Sequence, residues 1–254
     1  MVRPLAIALL LSGVALAQTS DYDQGVALFQ TGQLDAAIPL LTRAAQEHPR
    51  DARAWKALGV AYAAQKLYEL AESPFRRACE LDPKLEDACY YQGRALYALD
   101  RFELSLRALE RGLARDPNSW KIRLGRAQAF EALGRADDAE KEFKETLSLS
   151  RYGDPKPGIA YGLFLVRQGR FVEAPVPLEQ VLKRFPEAAE AHIHLGRALL
   201  EQGELTESLP HFERAVAIEP ASAQAHLLLS KAYVRAGRTV DAKPHFEAAA
   251  RYAR

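Results

Sequence analysis

The stretch Ala54-Trp55-Lys56-Ala57-Leu58-Gly59-Val60-Ala61-Tyr62 decides the fold of this chain. Leu58 and Tyr62 lie four residues apart, which is the spacing of one helix face rather than of a strand. Gly59, between them, is a small residue at a place where a second helix must approach closely. A second apolar pattern follows at Ala71, Phe75, Ala78 and Pro83. The pattern predicts two helices joined by a turn, with the proline stopping the second helix.

This pattern recurs every 34 residues through the rest of the chain. Seven copies follow one another after residue 17, with one extra residue between the fourth and fifth. A single helical hairpin cannot bury enough apolar surface to offset the entropy of ordering it, so neighbouring copies must stack. We therefore predict one all-α domain over residues 18–254, with repeats at about 18–51, 52–85, 86–119, 120–154, 155–188, 189–222 and 223–254.

Glycine and proline mark the helix ends within the copies. Glycines stand where first helices are expected to end, at Gly32, Gly134, Gly169, Gly203 and Gly237. Prolines close five copies, at Pro49, Pro83, Pro117, Pro186 and Pro220. Six more prolines fall early in second helices: Pro39, Pro74, Pro175, Pro177, Pro210 and Pro244. We expect these six near the first helical turn, where a missing N–H costs little.

The joint between the fourth and fifth copies departs from the pattern. Residues 150–158 read SRYGDPKPG, and two prolines and two glycines within them favour a turn or an extended link. Two outcomes stay open: a hinge between four repeats and three, or a longer loop with unbroken stacking.

The repeat resembles the tetratricopeptide repeat family, and the match covers essentially everything after residue 18. The second copy carries the whole family signature: Trp55, Leu58, Gly59, Tyr62, Ala71, Phe75, Ala78 and Pro83. The resemblance implies a right-handed superhelical solenoid of helix–turn–helix repeats, whose first helices line a concave groove.

The first 17 residues read as a secretory signal peptide. One positive charge, Arg3, precedes the apolar run Leu5–Leu11, and Ala15-Leu16-Ala17 has the small-x-small pattern of a cleavage site. The run is too short to span a bilayer. We expect cleavage near Ala17 and export to the periplasm or outside a bacterial cell, with no stable membrane insertion.

Composition excludes several classes of function. The chain has 34 lysines and arginines against 33 acids, so no strong positive field draws it to nucleic acid. No phosphate loop, nucleophile elbow or His-Glu-x-x-His motif occurs. We therefore expect no catalytic residues, no cofactor and no bound metal.

The histidines and cysteines follow the repeat frame. His192 and His226 occupy the position of Trp55, and His211 and His245 also match each other, so we expect each to pack within its own hairpin. Cys79 and Cys89 both face the junction of the second and third copies. In an exported protein such a pair can form a disulfide, although free cysteines are also ordinary small core residues.

The family's groove lies on positions one, five and eight after the Trp55 position, and here it is mostly apolar with scattered cations. The candidate partner-binding residues on or beside it are Tyr22, Phe29, Lys56, Tyr90, Arg94, Tyr97, Arg197, Lys231 and Arg235. Tyr90, Arg94 and Tyr97 form the sharpest cluster, since aromatic residues and arginine are common interface anchors. Val60 stands where family members use asparagine to clamp a terminal carboxylate, so that mode is not expected.

The sequence predicts a non-enzymatic protein-interaction adaptor that binds a peptide or partner helix of some acidic character in its groove. The alternative is a structural, self-associating envelope protein. Apolar residues of the last repeat, including Phe246 and Tyr252, are expected to stay partly exposed, and a homodimer through that repeat would cover them.

Overall fold

A computed structural model describes residues 20–82, 85 and 87–253, and the predicted signal peptide at residues 1–17 lies outside them. The described residues contain fourteen α-helices and no strand. The predicted all-α fold of helix–turn–helix repeats is confirmed, and each predicted repeat range holds one pair of helices.

The helices fall into two compact units, which divide after residue 85. The first unit contains α1 (Asp21–Gln30), α2 (Leu34–Glu47), α3 (Ala52–Ala64) and α4 (Tyr68–Leu81). The second contains α5 (Ala88–Ala98), α6 (Phe102–Leu113), α7 (Trp120–Ala132), α8 (Ala136–Ser150), α9 (Lys156–Arg167), α10 (Pro175–Arg184), α11 (Ala189–Gln202), α12 (Leu205–Ile218), α13 (Ala223–Arg235) and α14 (Thr239–Tyr252).

Glycine allows the two helices of a repeat to approach closely. A Cβ atom added to Gly59 would lie 2.6 Å from the ring of Phe75, which is fully buried on the facing helix. The same contact joins Gly25 to Leu41, Gly93 to Leu109, Gly162 to Leu178, and Gly196 to Phe212. In the seventh repeat Ser230 takes the glycine's place, and Phe246 is 42% exposed.

The turn after each first helix uses left-handed backbone. All five glycines predicted to end first helices have positive φ, from 72° to 90°. Lys66 and Asp100 occupy the same place in the second and third repeats and adopt φ values of 60° and 56° without glycine's freedom. The turn geometry therefore persists where the sequence does not favour it.

Four prolines lie deeper in their helices than we expected. Pro175 begins α10, as predicted, but Pro39, Pro74, Pro210 and Pro244 lie inside α2, α4, α12 and α14. Each is the sixth or seventh residue of its helix, past the first turn. The expectation of helix-start positions was wrong for these four. Each lacks the N–H that would bond to the carbonyl four residues earlier.

The joint between the fourth and fifth repeats is a short irregular turn inside continuous packing. Arg151 and Tyr152 both have positive φ, 48° and 53°, between the end of α8 and the start of α9. One core cluster nevertheless includes Phe143 of α8 together with Tyr161 and Phe164 of α9. The joint is a longer loop between helices that still pack against each other.

Candidate functional site

In the first unit, a small apolar pocket lies between α1 and α3. Tyr22, Val26 and Phe29 from α1 face Lys56 and Val60 from α3 around a volume of about 280 Å³. We call this the Tyr22 pocket. The predicted residues Tyr22, Phe29 and Lys56 are therefore brought together. The Arg53 guanidinium lies 5.8 Å from the centre of the Tyr22 ring, a cation–π arrangement at its rim.

In the second unit, a larger cleft crosses the first helices of consecutive repeats. Tyr90 and Arg94 of α5, Trp120 of α7 and Leu163 of α9 line a volume of about 510 Å³, which we call the Tyr90 cleft. Leu124 and Ile159 also line it, and both are largely buried. The cleft combines an apolar lining with aromatic rings and an arginine, the residue types that most often anchor protein partners.

Arg94 is an exposed cation of this cleft, as is Lys156. Its guanidinium donates to the side-chain oxygen of Gln128 at 3.3 Å, and that oxygen is neutral. Lys121, by contrast, lies 3.2 Å from the carboxylate of Asp87. Arg94 is therefore better placed than Lys121 to take a carboxylate from a partner.

Tyr97 does not line the Tyr90 cleft. Its ring packs against Phe102 at a centroid distance of 5.3 Å and against a core cluster that contains Phe130. Burial raises the pKa of its phenol. The structure thus brings Tyr90 and Arg94 together and places Tyr97 against the core.

A third cleft lies between the last two repeats. Arg197 of α11, Lys231 and Arg235 of α13, and Phe246 of α14 line a volume of about 570 Å³. Leu200, Glu201, Leu228 and Val234 complete this Lys231 cleft. Three cations face one acid here, whereas the Tyr90 cleft has three bases and three acids in its lining.

A hydrogen bond that was not predicted from the sequence occurs at the Trp55 position. The Trp55 indole N–H donates to the carbonyl oxygen of Pro49 at 3.1 Å. Equivalent bonds join Arg123 to Pro117, His192 to Pro186, and His226 to Pro220, each at 3.0 or 3.1 Å. The signal was present in the sequence, because all four residues follow a closing proline by six positions. In these four repeats, tryptophan, arginine and histidine donate the same bond, so it does not depend on one residue type.

The side chain at this position also contacts the second helix of its own repeat. In the fourth repeat Arg123 is ion-paired with Glu142 at 3.3 Å. In the sixth and seventh repeats the contact is His192 with His211 and His226 with His245, each with its two Nδ1 atoms 2.9 Å apart. The prediction that these histidines pack within their own hairpins agrees with these contacts.

Among the described residues, no group of three or more histidine, cysteine, aspartate or glutamate side chains is arranged to hold a metal ion. Within that same part of the chain, no helix is both long and apolar enough to cross a membrane. Cys79 and Cys89 are both buried, each in its own unit. A disulfide between them stays a prediction.

Comparison with known proteins relates this arrangement to other helical repeats. The chain is similar in structure to a tetratricopeptide repeat protein from Parabacteroides merdae ATCC 43184, with 14% identity, 91% of each chain covered and a TM-score of 0.72. It is also similar to a thermophilic repeat protein of Thermus thermophilus, with 25% identity over 71% of this chain and 97% of that one and a TM-score of 0.59. MamA from Desulfovibrio magneticus RS-1 is similar at 22% identity, over 65% and 92% of the two chains, with a TM-score of 0.56.

A curated relative, protein bimA of Emericella nidulans, is 26% identical over 97 residues, which are 38% of this chain. The chain spans only 12% of that relative's length. Tetratricopeptide repeat profiles match residues 22–86, 90–154 and 162–225, and a second such profile matches 199–254. The chain belongs to the tetratricopeptide repeat family.

Proposed function

We propose that this protein is an exported, non-enzymatic adaptor that binds a peptide or partner helix on its first helices. The family is one of protein-interaction scaffolds, and the further steps of export and site are our own. The Tyr90 cleft carries the proposal, because it joins an apolar lining to the exposed Arg94 guanidinium. A ligand with an apolar side chain and a nearby carboxylate would satisfy both features.

The Tyr22 pocket and the Lys231 cleft support the same kind of ligand. The Tyr22 pocket has an apolar wall from α1 and the side chain of Lys56 at its edge. The Lys231 cleft adds three cations against one acid. Cations beside apolar surface favour a ligand of some acidic character.

The site is tested by affinity capture from the envelope fraction of the source organism. Wild type is compared with Tyr90→Ala/Arg94→Glu, with circular dichroism to show that the variant is folded. Tyr97 is left intact because it packs on the core. Arg107→Glu, an exposed charge reversal on the second helix of the same repeat, is the matched control. A partner lost by the double variant but kept by Arg107→Glu supports the proposal, and equal capture by all three contradicts it.

Export is tested separately from binding. Expressed with its own leader in a bacterial host, the protein should reach the periplasm or medium with Gln18 as its first residue. Mass spectrometry of the intact protein measures this directly. A cytoplasmic chain that still begins at Met1 would contradict export without affecting the cleft.

Self-association is the second candidate, and exposed apolar residues of α14 favour it. Val240 is 85% exposed, and Phe246 and Tyr252 are each 42% exposed. Sedimentation velocity over a concentration series distinguishes the two functions. A monomer at all concentrations supports the adaptor, whereas a dimer that Val240→Ser/Tyr252→Ser abolishes supports self-association.

A further inference from the structure

The two histidine pairs repeat one arrangement in adjacent hairpins. His192 of α11 faces His211 of α12, and His226 of α13 faces His245 of α14, with ring centroids 5.2 and 5.1 Å apart. In each pair the first-helix histidine also uses Nε2 to contact the carbonyl oxygen of the preceding closing proline. The last two repeats are therefore held by the same two-ring contact.

The proline carbonyls fix the protonation of each pair. A carbonyl oxygen only accepts, so Nε2 of His192 must carry a hydrogen, and in the neutral ring Nδ1 is then an acceptor. His211 must donate its Nδ1–H across the 2.9 Å contact. The same assignment holds for His226 and His245, whose Nδ1 atoms are also 2.9 Å apart.

We propose that these two pairs make the last two repeats acid-sensitive, so that proton uptake below neutral pH loosens α11–α14 while α5–α8 stay closed. This device goes beyond partner binding and does not depend on it. It bears on binding because Arg197 and Lys231 of the Lys231 cleft lie on α11 and α13.

The step can be followed proton by proton. One proton can add to Nε2 of His211 while the ring-to-ring contact stays, but it places a positive charge in a half-buried space. A second proton, on Nδ1 of His192, sets an N–H against an N–H and breaks the contact. Each protonation state is thus harder to accommodate than the one before.

The charged groups around His245 do not make its protonation favourable. Burial first, and then the charge of the partner ring, lower the pKa values of His211 and His245. Glu213 and Asp241 act in the opposite direction on His245, but more weakly. Asp241 is already bonded to Arg238, and Glu213 accepts the hydroxyl of Tyr233.

The sign of the pH effect follows from these directions. A histidine whose pKa is lower in the fold than its ordinary 6.5 binds more protons when unfolded. Stability from the pairs is therefore present above that value and is lost as the pH falls below it. The helices α5–α8 contain no histidine and provide an internal reference.

Hydrogen exchange of the full chain tests the proposal at about pH 7.5 and about pH 5.5, on either side of histidine titration. After correction for intrinsic rates, we expect exchange in α11–α14 to rise on the order of tenfold at acid pH, since each proton taken up on opening changes the opening equilibrium by up to about tenfold per pH unit. Exchange in α5–α8 should not change. An equal rise in both regions, or no rise in α11–α14, would overturn the proposal.

A non-titrating variant supplies the second arm. Asparagine offers an amide N–H near the place of Nδ1–H, so His211→Asn/His245→Asn should remove the acid-dependent rise in α11–α14. His48→Asn, at an exposed position of the first unit, is the matched control and should keep it. Both the double variant and the control keep His194, which lies 3.6 Å from Glu190. If the acid-dependent rise persists in the double variant, the acid sensitivity comes from another group and the proposal is refuted. At neutral pH, nitrogen-15 spectra should show that Nε2 of His192 and of His226 is protonated. Unprotonated Nε2 in these two histidines would also refute the proposal.

Discussion

The indole N–H of Trp55 and the carbonyl oxygen of Pro49 form a 3.1 Å hydrogen bond that ties the start of α3 to the residue closing the preceding repeat. Pro49 is exposed and Trp55 is partly buried against the core of the first unit. The bond therefore fixes a loop to packed structure. Donors from arginine and histidine make the same link in later repeats.

Trp55→Phe should destabilise the protein, because phenylalanine keeps the apolar ring but removes the donor. We expect a loss of about 1–2 kcal/mol in the free energy of unfolding, from one hydrogen bond and reduced packing. Urea denaturation followed by circular dichroism measures it. Trp120→Phe, at the rim of the Tyr90 cleft, is the matched control and should cost less. Equal losses would show that the Pro49 bond contributes nothing measurable.

Lys66→Gly should stabilise the second repeat. Lys66 holds a φ of 60° at the turn where five other repeats have glycine, and an L-residue pays about 1–2 kcal/mol for that conformation. Glycine's greater entropy in the unfolded chain offsets part of the gain, so we expect about 0.5–1 kcal/mol. Thermal unfolding measures it. Lys66→Ala controls for loss of the side chain and should give no gain, and a gain as large as that of glycine would contradict the backbone explanation.

Gly59→Ala should destabilise the protein although alanine favours helices by about 1 kcal/mol over glycine. The new Cβ would lie 2.6 Å from the ring of Phe75, which is fully buried, so one of the two groups must shift. We expect a net loss of about 1–3 kcal/mol from overpacking. In the background of Phe75→Ala the loss should shrink, because the alanine side chain ends at Cβ and leaves room, whereas leucine makes the same close contact in other repeats. A double-mutant cycle with no coupling between the two positions would refute the close contact.

Much of the fold could be predicted because repetition multiplies weak local signals. Gly59, Phe75 and their counterparts mark where two helices touch, and each copy confirms the frame of the others. The predicted positions of four prolines within their second helices were wrong because the helix starts were not known. Sequence gives their position in the frame but not the residue at which α2, α4, α12 and α14 begin.

The candidate site was harder to predict than the fold. Position in the frame placed Tyr22, Lys56, Tyr90 and Arg94 in clefts. It did not distinguish Tyr97 from the residues that line the clefts. Tyr97 lies at a groove position of the repeat, but its ring packs against Phe102. Side-chain rotation depends on neighbours from other helices, and the repeat frame alone carries no information about it.

Cys79 and Cys89 are predicted to form a disulfide in the exported protein. Closing so short a loop should add roughly 2–3 kcal/mol to the free energy of unfolding. Intact mass under non-reducing conditions should be two hydrogens lower than the reduced mass, and dithiothreitol should lower the midpoint of thermal unfolding. Cys79→Ala/Cys89→Ala is the control, since its midpoint should not respond to the reductant. Two alkylatable thiols in protein purified from an oxidising compartment would contradict the disulfide.

The ion pair between Glu140 of α8 and Arg170, three residues after the end of α9, should stabilise the joint in a pH-dependent way. Arg170 donates to Glu140 at 2.6 Å, and this bond, with help from Lys144 and Tyr161, lowers the pKa of Glu140 from 4.5 to about 2. A carboxyl with a lowered pKa contributes stability that is fully present above pH 4.5 and is lost as the pH falls toward 2. Both side chains are partly exposed, so screening reduces the contribution to about 1–2 kcal/mol. Glu140→Gln should cost that much at neutral pH and flatten the stability profile over this acid range, as measured by urea denaturation at each pH. Glu145→Gln, an exposed position on the same helix, should leave the profile unchanged, and a profile that Glu140→Gln does not flatten would exclude this ion pair as its source.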